Sequence, residues 1–404
     1  MDDAARSYPF ARRCPFDEPA EFARLRADEP VALVTLPNGA HGYLVTRYDD
    51  VRRVLSDERF SRRPVRQDAV RRDPAAPDGP PGGGFDFGLS IADPADHERW
   101  RRLVGSVVNP RLAESLRPRI VARVEELLDA LAAAPQPVDL MSGYAYPLAL
   151  GVLCELFEVP DDLRPRFAEW AAGLRRAGAD MAAFGAAMGT LYRCAGELVA
   201  RARKEPGDGL LAALLAARHD DGTALSDEQL VGTVLLMTIA GYETSAVQIG
   251  NGLLALLQHP DQLERVRGGT VAEAAVVEEI LRYAQAGTGF AGTTYTTADV
   301  ELGAVTIPAG SAVLISLDSA ARDERRLPRP EEFDVARGSA RHHLAFGSGA
   351  HFCLGAPVAR VELAEGLGRL WRRFPALKSA HGTDRVVFTS NLLHHFPAEL
   401  PVTW

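Results

Sequence analysis

The spacing of apolar residues is helical through most of the chain. Between residues 120 and 218, apolar positions recur at the interval of an α-helix, with breaks near Pro135, Pro160 and Pro206. Alternation of the kind that predicts strands is confined to short segments. The pattern therefore predicts a mostly helical chain, with further short helices at residues 20–28, 49–55 and 97–108.

The longest apolar segment begins after Ser226. Ser226 and Gln229 have the spacing of a capping box, and the pattern continues to Gln258, just ahead of His259 and Pro260. At 1.5 Å per residue such a helix would be roughly 48 Å long. We expect it to cross the whole molecule.

A minor β region is predicted near the start of the chain. Short apolar runs at residues 31–36 and 42–46 flank Asn38 and Gly39, which is the typical sequence of a β-hairpin. Residues 62–96 then change to a composition rich in proline and glycine, without periodicity of their own. A loop of this length is usually functional or mobile, and the alternative is a solvated surface excursion.

Composition narrows the functional classes. The chain of 404 residues is 47% hydrophobic and 25% charged, as in soluble globular proteins, and its net charge of −9 with no long basic run excludes nucleic acid and anionic membranes as expected partners. No signal peptide is visible, and the longest apolar run, residues 230–239, is too short for a membrane span. Four scattered cysteines fit a reducing compartment. We expect a cytoplasmic protein.

The candidate chemistry is concentrated around Cys353. This cysteine lies between Gly349 and Gly355, just before a helical pattern from Ala356 to about Phe374. Unpaired N–H groups and a positive dipole at a helix start favour a thiolate, and glycine lets the backbone approach a flat ligand. The residues alone leave two alternatives open, an inert buried thiol and a zinc site. The zinc ligands would be His342, His343, His351 and Cys353.

This loop closely resembles the haem-binding signature of the cytochrome P-450 superfamily. The signature reads Phe-x-x-Gly-x-basic-x-Cys-x-Gly, and its fixed positions are occupied by Phe346, Gly349, His351, Cys353 and Gly355. The resemblance implies haem b, iron protoporphyrin IX, with Cys353 as the metal ligand. It also places the rest of the loop, including Gly347, against the cofactor.

A second motif of the same family lies within the long helix. Residues 240–245, Ala-Gly-Tyr-Glu-Thr-Ser, match the pattern associated with activation of O₂. The resemblance implies that Ala240 and Gly241 lie beside haem and that Glu243 and Thr244 are catalytic, delivering protons. Without the cysteine loop, a helix kink with internally satisfied polar groups would explain these residues equally well.

Two further sets of residues match the family. His97 and Arg101, at i and i+4, are implied to bind the haem propionates. Glu279, Arg282 and Arg337 correspond to a triad with a structural role. One position departs from the family pattern, since relatives usually carry a propionate-binding arginine where this chain has Thr294.

The resemblance extends from Val31 to Trp404. It implies a single cytochrome P-450 domain over residues 1–404, mostly α with a minor β region at approximately 31–46 and 292–316, and with a second small sheet in the latter segment. Haem would lie between the long central helix and the helix after the cysteine loop. Arginines near His97 suit docking of an acidic ferredoxin. They are Arg99, Arg102, Arg111, Arg117 and Arg119.

The expected activity is oxidation of a mid-sized secondary metabolite by O₂, with electrons from a ferredoxin. Oxidative C–C or C–N coupling, for example of cyclic dipeptides, and a non-enzymatic haem sensor are the alternatives. Polar groups among the expected pocket residues favour a substrate with amide or hydroxyl groups. These candidates are Gln67, Phe87, Leu236, Ile239, Gln285, Thr288, Phe290, Leu393 and His394.

Overall fold

A computed structural model describes the protein over residues 6–12, 14, 16–36, 39–62, 94–177, 180–285, 293–338, 340–390 and 395–404. Helices account for most of this part of the chain, as predicted. The α-helices are α1 (Ala20–Asp28), α2 (Tyr48–Ser56), α3 (Pro94–Val107), α4 (Pro110–Ala133), α5 (Tyr146–Leu156), α6 (Arg164–Ala177), α7 (Met181–Lys204), α8 (Leu210–Ala216), α9 (Asp227–Gln258), α10 (Pro260–Arg267), α11 (Glu273–Tyr283), α12 (Leu317–Ala320) and α13 (Ala356–Arg373).

Short strands form the β region. They are β1 (Arg6–Ser7), β2 (Val31–Thr35), β3 (His41–Val45), β4 (Phe60–Ser61), β5 (Val138–Asp139), β6 (Thr294–Thr296), β7 (Val300–Leu302), β8 (Val305–Ile307), β9 (Ala312–Ile315), β10 (Lys378–Ser379), β11 (Phe388–Ser390), β12 (His395–Pro397) and β13 (Pro401–Thr403).

The largest sheet joins segments that the sequence placed in separate sheets. Its order is β1-β2-β3-β9-β6-β4, and β3 pairs with β9 in parallel, with Tyr43 opposite Val313. Only the β7–β8 hairpin of the later segment stays apart from it. The expected second small sheet is therefore present as the β7–β8 hairpin, whereas β6 and β9 of the same segment join the first sheet. Pairing between strands so distant in sequence depends on tertiary packing, which local patterns do not record.

The helix α9 runs through the main hydrophobic core. It has 32 residues and begins with the predicted capping box, in which the Ser226 side chain accepts from the Gln229 N–H and the Gln229 side chain accepts from the Ser226 N–H. Helices α5, α7, α10, α11 and α13 contact it. The apolar face of each helix is thereby removed from water, which is the main stabilising term of such a fold.

Hydropathy alone would also allow α9 to cross a membrane. Within the described ranges it is long and apolar enough to pass that test by length and composition, although the sequence analysis predicted no span. Half of its most apolar window is buried inside the molecule, and the core helix of a soluble protein passes the same test.

Candidate active site

The cysteine loop is closed by backbone contacts that require glycine. Gly347 and Gly349 have φ values of 72° and 68°, a region that residues with a Cβ rarely adopt. A Cβ on Gly349 would also collide with the carbonyl oxygen of Leu55 at the end of α2. The Cys353 N–H donates to the Phe346 carbonyl at 2.8 Å and completes the turn. The loop thus delivers Cys353 to the start of α13 in one conformation.

The thiol of Cys353 has exposed surface, although protein atoms surround much of it. Its side chain has an exposed surface, yet the surrounding protein desolvates it and raises its pKa, against the lowering effects of the Gly355 and Ala356 N–H groups and of Arg101. Desolvation thus opposes the thiolate that the backbone N–H groups at the helix start favour. A coordinated metal ion would be needed to remove the proton.

Basic side chains converge beside the cysteine loop. The rings of His97 on α3 and His351 lie 4.1 Å apart between centroids, and Arg101 donates from Nη2 to the Phe352 carbonyl at 2.5 Å. Burial, followed by the nearby Arg62, lowers the pKa of His351 to about 3. The pKa of His97 is lowered too, first by burial and then by Arg101. Both imidazoles are thus neutral donors near pH 7, and the cations of the cluster are the two arginines.

The middle of α9 has one face that none of the other described elements covers. Ala240 and Thr244, one turn apart, are exposed, whereas the residues next to them on the helix are half-buried. The Thr244 hydroxyl donates to the Ala240 carbonyl. Gly241 faces the opposite way, since a Cβ there would lie 3.0 Å from a methyl group of Leu153 on α5. Its role in this structure is close packing of α9 on α5, whereas the sequence predicted an approach to haem.

These features fit haem. One sulfur is presented with two N–H donors behind it, the basic cluster beside it matches two carboxylates, and the exposed Ala240–Thr244 step offers a wall with little side-chain bulk. The zinc alternative has no support in the described part of the chain, where no group of three or more His, Cys, Asp or Glu could hold a metal ion.

A buried carboxyl that the sequence analysis missed links α13 to the centre of α9. The Ser245 hydroxyl donates to Oε2 of Glu362 at 2.9 Å, and Glu362 Oε1 has no hydrogen-bond partner among the described residues. Desolvation raises the pKa of Glu362 to about 7, opposed by the Ser245 hydrogen bond. A glutamate between Val361 and Leu363, on the buried face of α13, was the available signal.

Glu243 lies in a different environment from Glu362. Its charge contributes to raising the pKa of Tyr146 and of Tyr242, in both cases after the larger effect of burial. Glu243 therefore faces the tyrosines near α5, whereas Ser245 and Glu362 connect α9 with α13. Two carboxyl groups thus lie near Thr244 in different surroundings, Glu243 of α9 itself and Glu362 of α13.

The predicted triad is in direct contact. Glu279 and Arg282 are fully buried and joined by two hydrogen bonds of 2.7 Å, and Arg337 Nε lies 3.3 Å from Glu279 Oε1. Both guanidinium groups also donate to backbone carbonyls between residues 321 and 332. The three residues thereby tie α11 to the irregular segment that precedes the cysteine loop.

A neighbouring ion pair connects α11 to the loop itself. Glu278 accepts two hydrogen bonds from Arg360 of α13, at 2.6 and 3.1 Å, and the Arg360 guanidinium lies 4.6 Å from the Phe346 ring centroid. Although burial acts in the opposite direction, the His343 ring, with Nε2 3.3 Å from Oε2, and the hydrogen bonds from Arg360 lower the pKa of Glu278 to about 2. Phe346, the first residue of the haem signature, therefore contacts an arginine of α13 that is paired with α11, the helix of Glu279 and Arg282.

The substrate-facing candidates are only partly placed. Leu236 and Ile239 on α9 are half-buried against the main core. Gln285 is buried, and its amide donates to the carbonyls of Arg282 at 3.4 Å and Leu317 at 3.3 Å, so its polar atoms serve the backbone and not a substrate. The candidates outside the described residues are Gln67, Phe87, Thr288, Phe290, Leu393 and His394.

Comparison with known proteins agrees with this arrangement. The cytochrome P450 family model matches residues 183–269 and 274–395. The chain belongs to the cytochrome P450 family. It is an oxidoreductase of the monooxygenase class whose cofactor is haem held by a cysteine thiolate, and its relatives oxidise natural products.

Two curated relatives cover nearly the whole chain. Nocardicin C N-oxygenase of Nocardia uniformis subsp. tsuyamanensis is 38% identical over 401 residues, which are 99% of this chain and 98% of the relative. Vitamin D(3) 25-hydroxylase of Pseudonocardia autotrophica is 39% identical over 386 residues, 95% and 92% of the two chains. The similarity is therefore not confined to the motifs.

Solved structures show the same fold. The mixed-function P450 MycG is 37% identical with a TM-score of 0.88, and the match covers 99% of this chain and 100% of that one. The LnmA cytochrome P450 hydroxylase from the leinamycin pathway of Streptomyces atroolivaceus is 34% identical with a TM-score of 0.89 and the same coverage. The predicted fold class, mostly α with a minor β region, is confirmed.

Proposed function

We propose that this protein hydroxylates, or otherwise oxidises, a mid-sized secondary metabolite with O₂ and electrons from a ferredoxin, in the cytoplasm. The observation that carries the proposal is the accessible Cys353 sulfur at the start of α13, facing the same region as the basic cluster. The names of the relatives support the substrate class, since one is a nocardicin C N-oxygenase and another a mycinamicin IV hydroxylase/epoxidase. Four free cysteines fit a reducing compartment.

Product mass tests the proposed reaction. A hydroxylase adds one oxygen atom to the substrate, and that atom derives from O₂, whereas oxidative coupling removes two hydrogens and adds none. We expect turnover under ¹⁸O₂ to give a product heavier by one labelled oxygen. Loss of two hydrogens would establish coupling, and a protein that binds haem but turns over no candidate substrate would favour a sensor.

Haem bound to a thiolate supplies O₂ activation and transfer of one oxygen atom to a C–H bond. The residues that would hold it are Cys353 through its sulfur, the loop from Phe346 to Gly355, and the basic cluster, whose cations suit the propionates. Ala240 and Thr244 would lie beside it, and a substrate would meet Leu236 and Ile239 further along α9.

Thr244 is proposed to take part in proton transfer at the exposed face of α9 that it shares with Ala240. Its hydroxyl proton is engaged by the Ala240 carbonyl, so the lone pairs of Oγ1 are free to accept a hydrogen bond from a reacting group or water. Replacing Thr244 with alanine removes this oxygen and keeps the helix. Without this oxygen, we expect electrons to be lost as peroxide instead of being used to form product.

We expect Thr244→Ala to uncouple electron use from product. The fraction of NADPH that ends in product should fall several-fold, because general acid–base groups typically contribute roughly 10²–10⁴-fold to a step, while peroxide release rises. Measuring NADPH, peroxide and product together checks this. Thr238→Ala serves as the control, since Thr238 lies on the buried face of the same helix. Unchanged coupling in Thr244→Ala would refute the role of Thr244.

Glu362 is proposed as the proton reserve behind Thr244. A carboxyl with a pKa of about 7 is divided between its two protonation states near neutrality, which suits a group that both gives and regains a proton. Ser245, next to Thr244 on α9, is hydrogen-bonded to it at 2.9 Å. This path runs through α13 and is separate from the Glu243 side of the helix.

We expect Glu362→Gln to slow turnover about tenfold or more, since glutamine keeps an acceptor for Ser245 but has no proton to transfer. The substitution should also change how stability depends on pH. The wild-type carboxyl keeps its proton to about pH 7 when folded but only to about 4.5 when unfolded, so stability falls by about 3 kcal/mol as the pH rises through this interval.

Urea unfolding at several pH values should distinguish Glu362→Gln from a control variant by the pH dependence of stability. Glu362→Gln should show a flatter stability profile than the wild type between pH 5 and 8. Glu365→Gln is the matched control on the same helix, because the pKa of Glu365 is lowered by hydrogen bonds from Arg117 and Arg369, despite burial. A Glu362→Gln protein with wild-type turnover and the wild-type pH profile would exclude the proposal.

The electron donor is proposed to be a ferredoxin that docks beside Phe352. This side chain is 40% exposed next to Cys353, and Arg341, in the 3₁₀ turn before the loop, is exposed. The arginines after His97 stay candidates for this surface. Arg111 is exposed, whereas Arg99, Arg102, Arg117 and Arg119 are paired with Asp221, Glu98, Glu114 and Glu158, respectively.

Ionic strength tests this docking. An acidic ferredoxin attracted by exposed arginines should reduce the haem more slowly as salt rises, whereas reduction by dithionite should change little. A reduction rate independent of salt would contradict the docking proposal.

A groove between α4, α11 and α13, lined by residues such as Pro110, Val277 and Pro357, adjoins this side of α13. None of the placed substrate candidates lines it.

A further inference from the structure

The basic cluster includes Arg62, which belongs to none of the motifs identified in the sequence. The titratable groups close enough to act on His351 are all basic residues, namely Arg62, His97 and Arg101. Those acting on His97 are Arg101 and Arg62. No carboxylate of the described residues contributes at either imidazole. Assembling cations without a counter-ion is unfavourable unless an anion binds among them.

The β ladder places Arg62 opposite Thr294. Strands β4 and β6 are antiparallel, with Phe60 opposite Thr296 and Ser61 opposite Tyr295, and the Thr297 N–H donates to the Arg59 carbonyl at 2.8 Å. The next step of the same register puts Arg62 across from Thr294. Residues directly opposite each other project to the same face of a sheet, with Cβ atoms about 5 Å apart.

The two side chains differ in what they can reach. Thr294 is short and buried, with Oγ1 3.5 Å from the Val313 carbonyl. Arg62 has accessible surface, yet protein around the guanidinium desolvates it and lowers its pKa. Both observations hold if the guanidinium faces a pocket rather than open solvent. Among the described residues, no carboxylate forms an ion pair with it.

We propose that Arg62, the residue after strand β4, binds a haem propionate and thereby supplies the cation that position 294 lacks. The inference rests on the proposed function, because it needs haem at Cys353. Arg101 is partly committed to the Phe352 carbonyl, so Arg62 is the guanidinium of the cluster that is left to form a charge-assisted pair with a carboxylate.

Haem transfer to apomyoglobin tests the proposal without an activity assay. We expect Arg62→Gln to lose haem about tenfold faster or more than the wild type, since a charge-assisted hydrogen bond is worth roughly 1.5–3 kcal/mol. Arg59→Gln is the control on the same segment, because Arg59 pairs with Asp57 at 2.6 Å. It should release haem at the wild-type rate. Equal rates for Arg62→Gln and Arg59→Gln would overturn the proposal.

Esterified cofactor separates a propionate contact from a general loss of packing. Haem dimethyl ester lacks the carboxylates, so its release should be fast from the wild type and no faster from Arg62→Gln. A further acceleration by Arg62→Gln with the ester would show that Arg62 acts on the fold, and would refute the contact.

A cross-strand rescue tests the exchange of positions. The double variant Arg62→Gln with Thr294→Arg should regain slow haem release, because the new guanidinium starts from the opposite residue of the ladder. Failure to regain it in a folded double variant would reject the exchange. A protein that binds no haem at all would instead refute the proposed function.

Discussion

Cys353→Ala is expected to abolish product formation and the spectrum of thiolate ligation. The reduced wild-type protein with CO should show the far red-shifted Soret band of a haem thiolate, and the variant should show none, because no other described side chain takes the place of Cys353 at the start of α13. Haem that remains bound through the basic cluster would absorb at the ordinary position.

The control for this variant is Cys14→Ala. Cys14 is also free but is half-buried near the N-terminus, and its removal should leave the band and the activity unchanged. A red-shifted band in Cys353→Ala would mean that another sulfur ligates the iron. The distinction is sharp, because ligand identity and loss of fold give different spectra.

Glu279→Gln is expected to have the largest effect on stability. The substitution leaves Arg282 and Arg337, both buried, without their shared carboxylate. Breaking a buried pair by removing one partner costs about 3–5 kcal/mol, because an uncompensated charge remains in the interior. The irregular segment before the cysteine loop should loosen with it, so haem loss should accompany the loss of stability.

Urea unfolding measures this effect, with Glu332→Gln as the control. Glu332 also pairs with an arginine, Arg329 at 2.6 Å, but both side chains are exposed, and such pairs are worth at most about 1 kcal/mol. Comparable midpoints for Glu279→Gln and Glu332→Gln would show that the triad does not stabilise the fold. The role predicted from the sequence would then be untenable.

Several local features could be read from the sequence. The capping box at Ser226, the end of α9 at Gln258 and the cysteine loop with its glycines all depend on residues close together in the chain. Their energies arise from backbone geometry, capping and φ values that a few neighbours determine. Such features survive in any tertiary context that keeps the element.

Other features required partners that are remote in sequence. Position 294 looked like a loss from the sequence, and only the pairing of β4 with β6 brought Arg62 opposite to it. Glu362 looked like one residue of an amphipathic helix until α13 packed against α9 and buried it beside Ser245. Gln285 looked available to a substrate, and the backbone of Arg282 and Leu317 took its amide.

The sequence by itself determined the family, the cysteine loop and the long central helix, because each depends on a motif or a periodicity within one segment. The tertiary structure decided which polar groups are desolvated, Glu362 among them, and which residues form the basic cluster. Desolvation and cross-strand register are properties of packed surroundings, and these exist only after distant segments have come together.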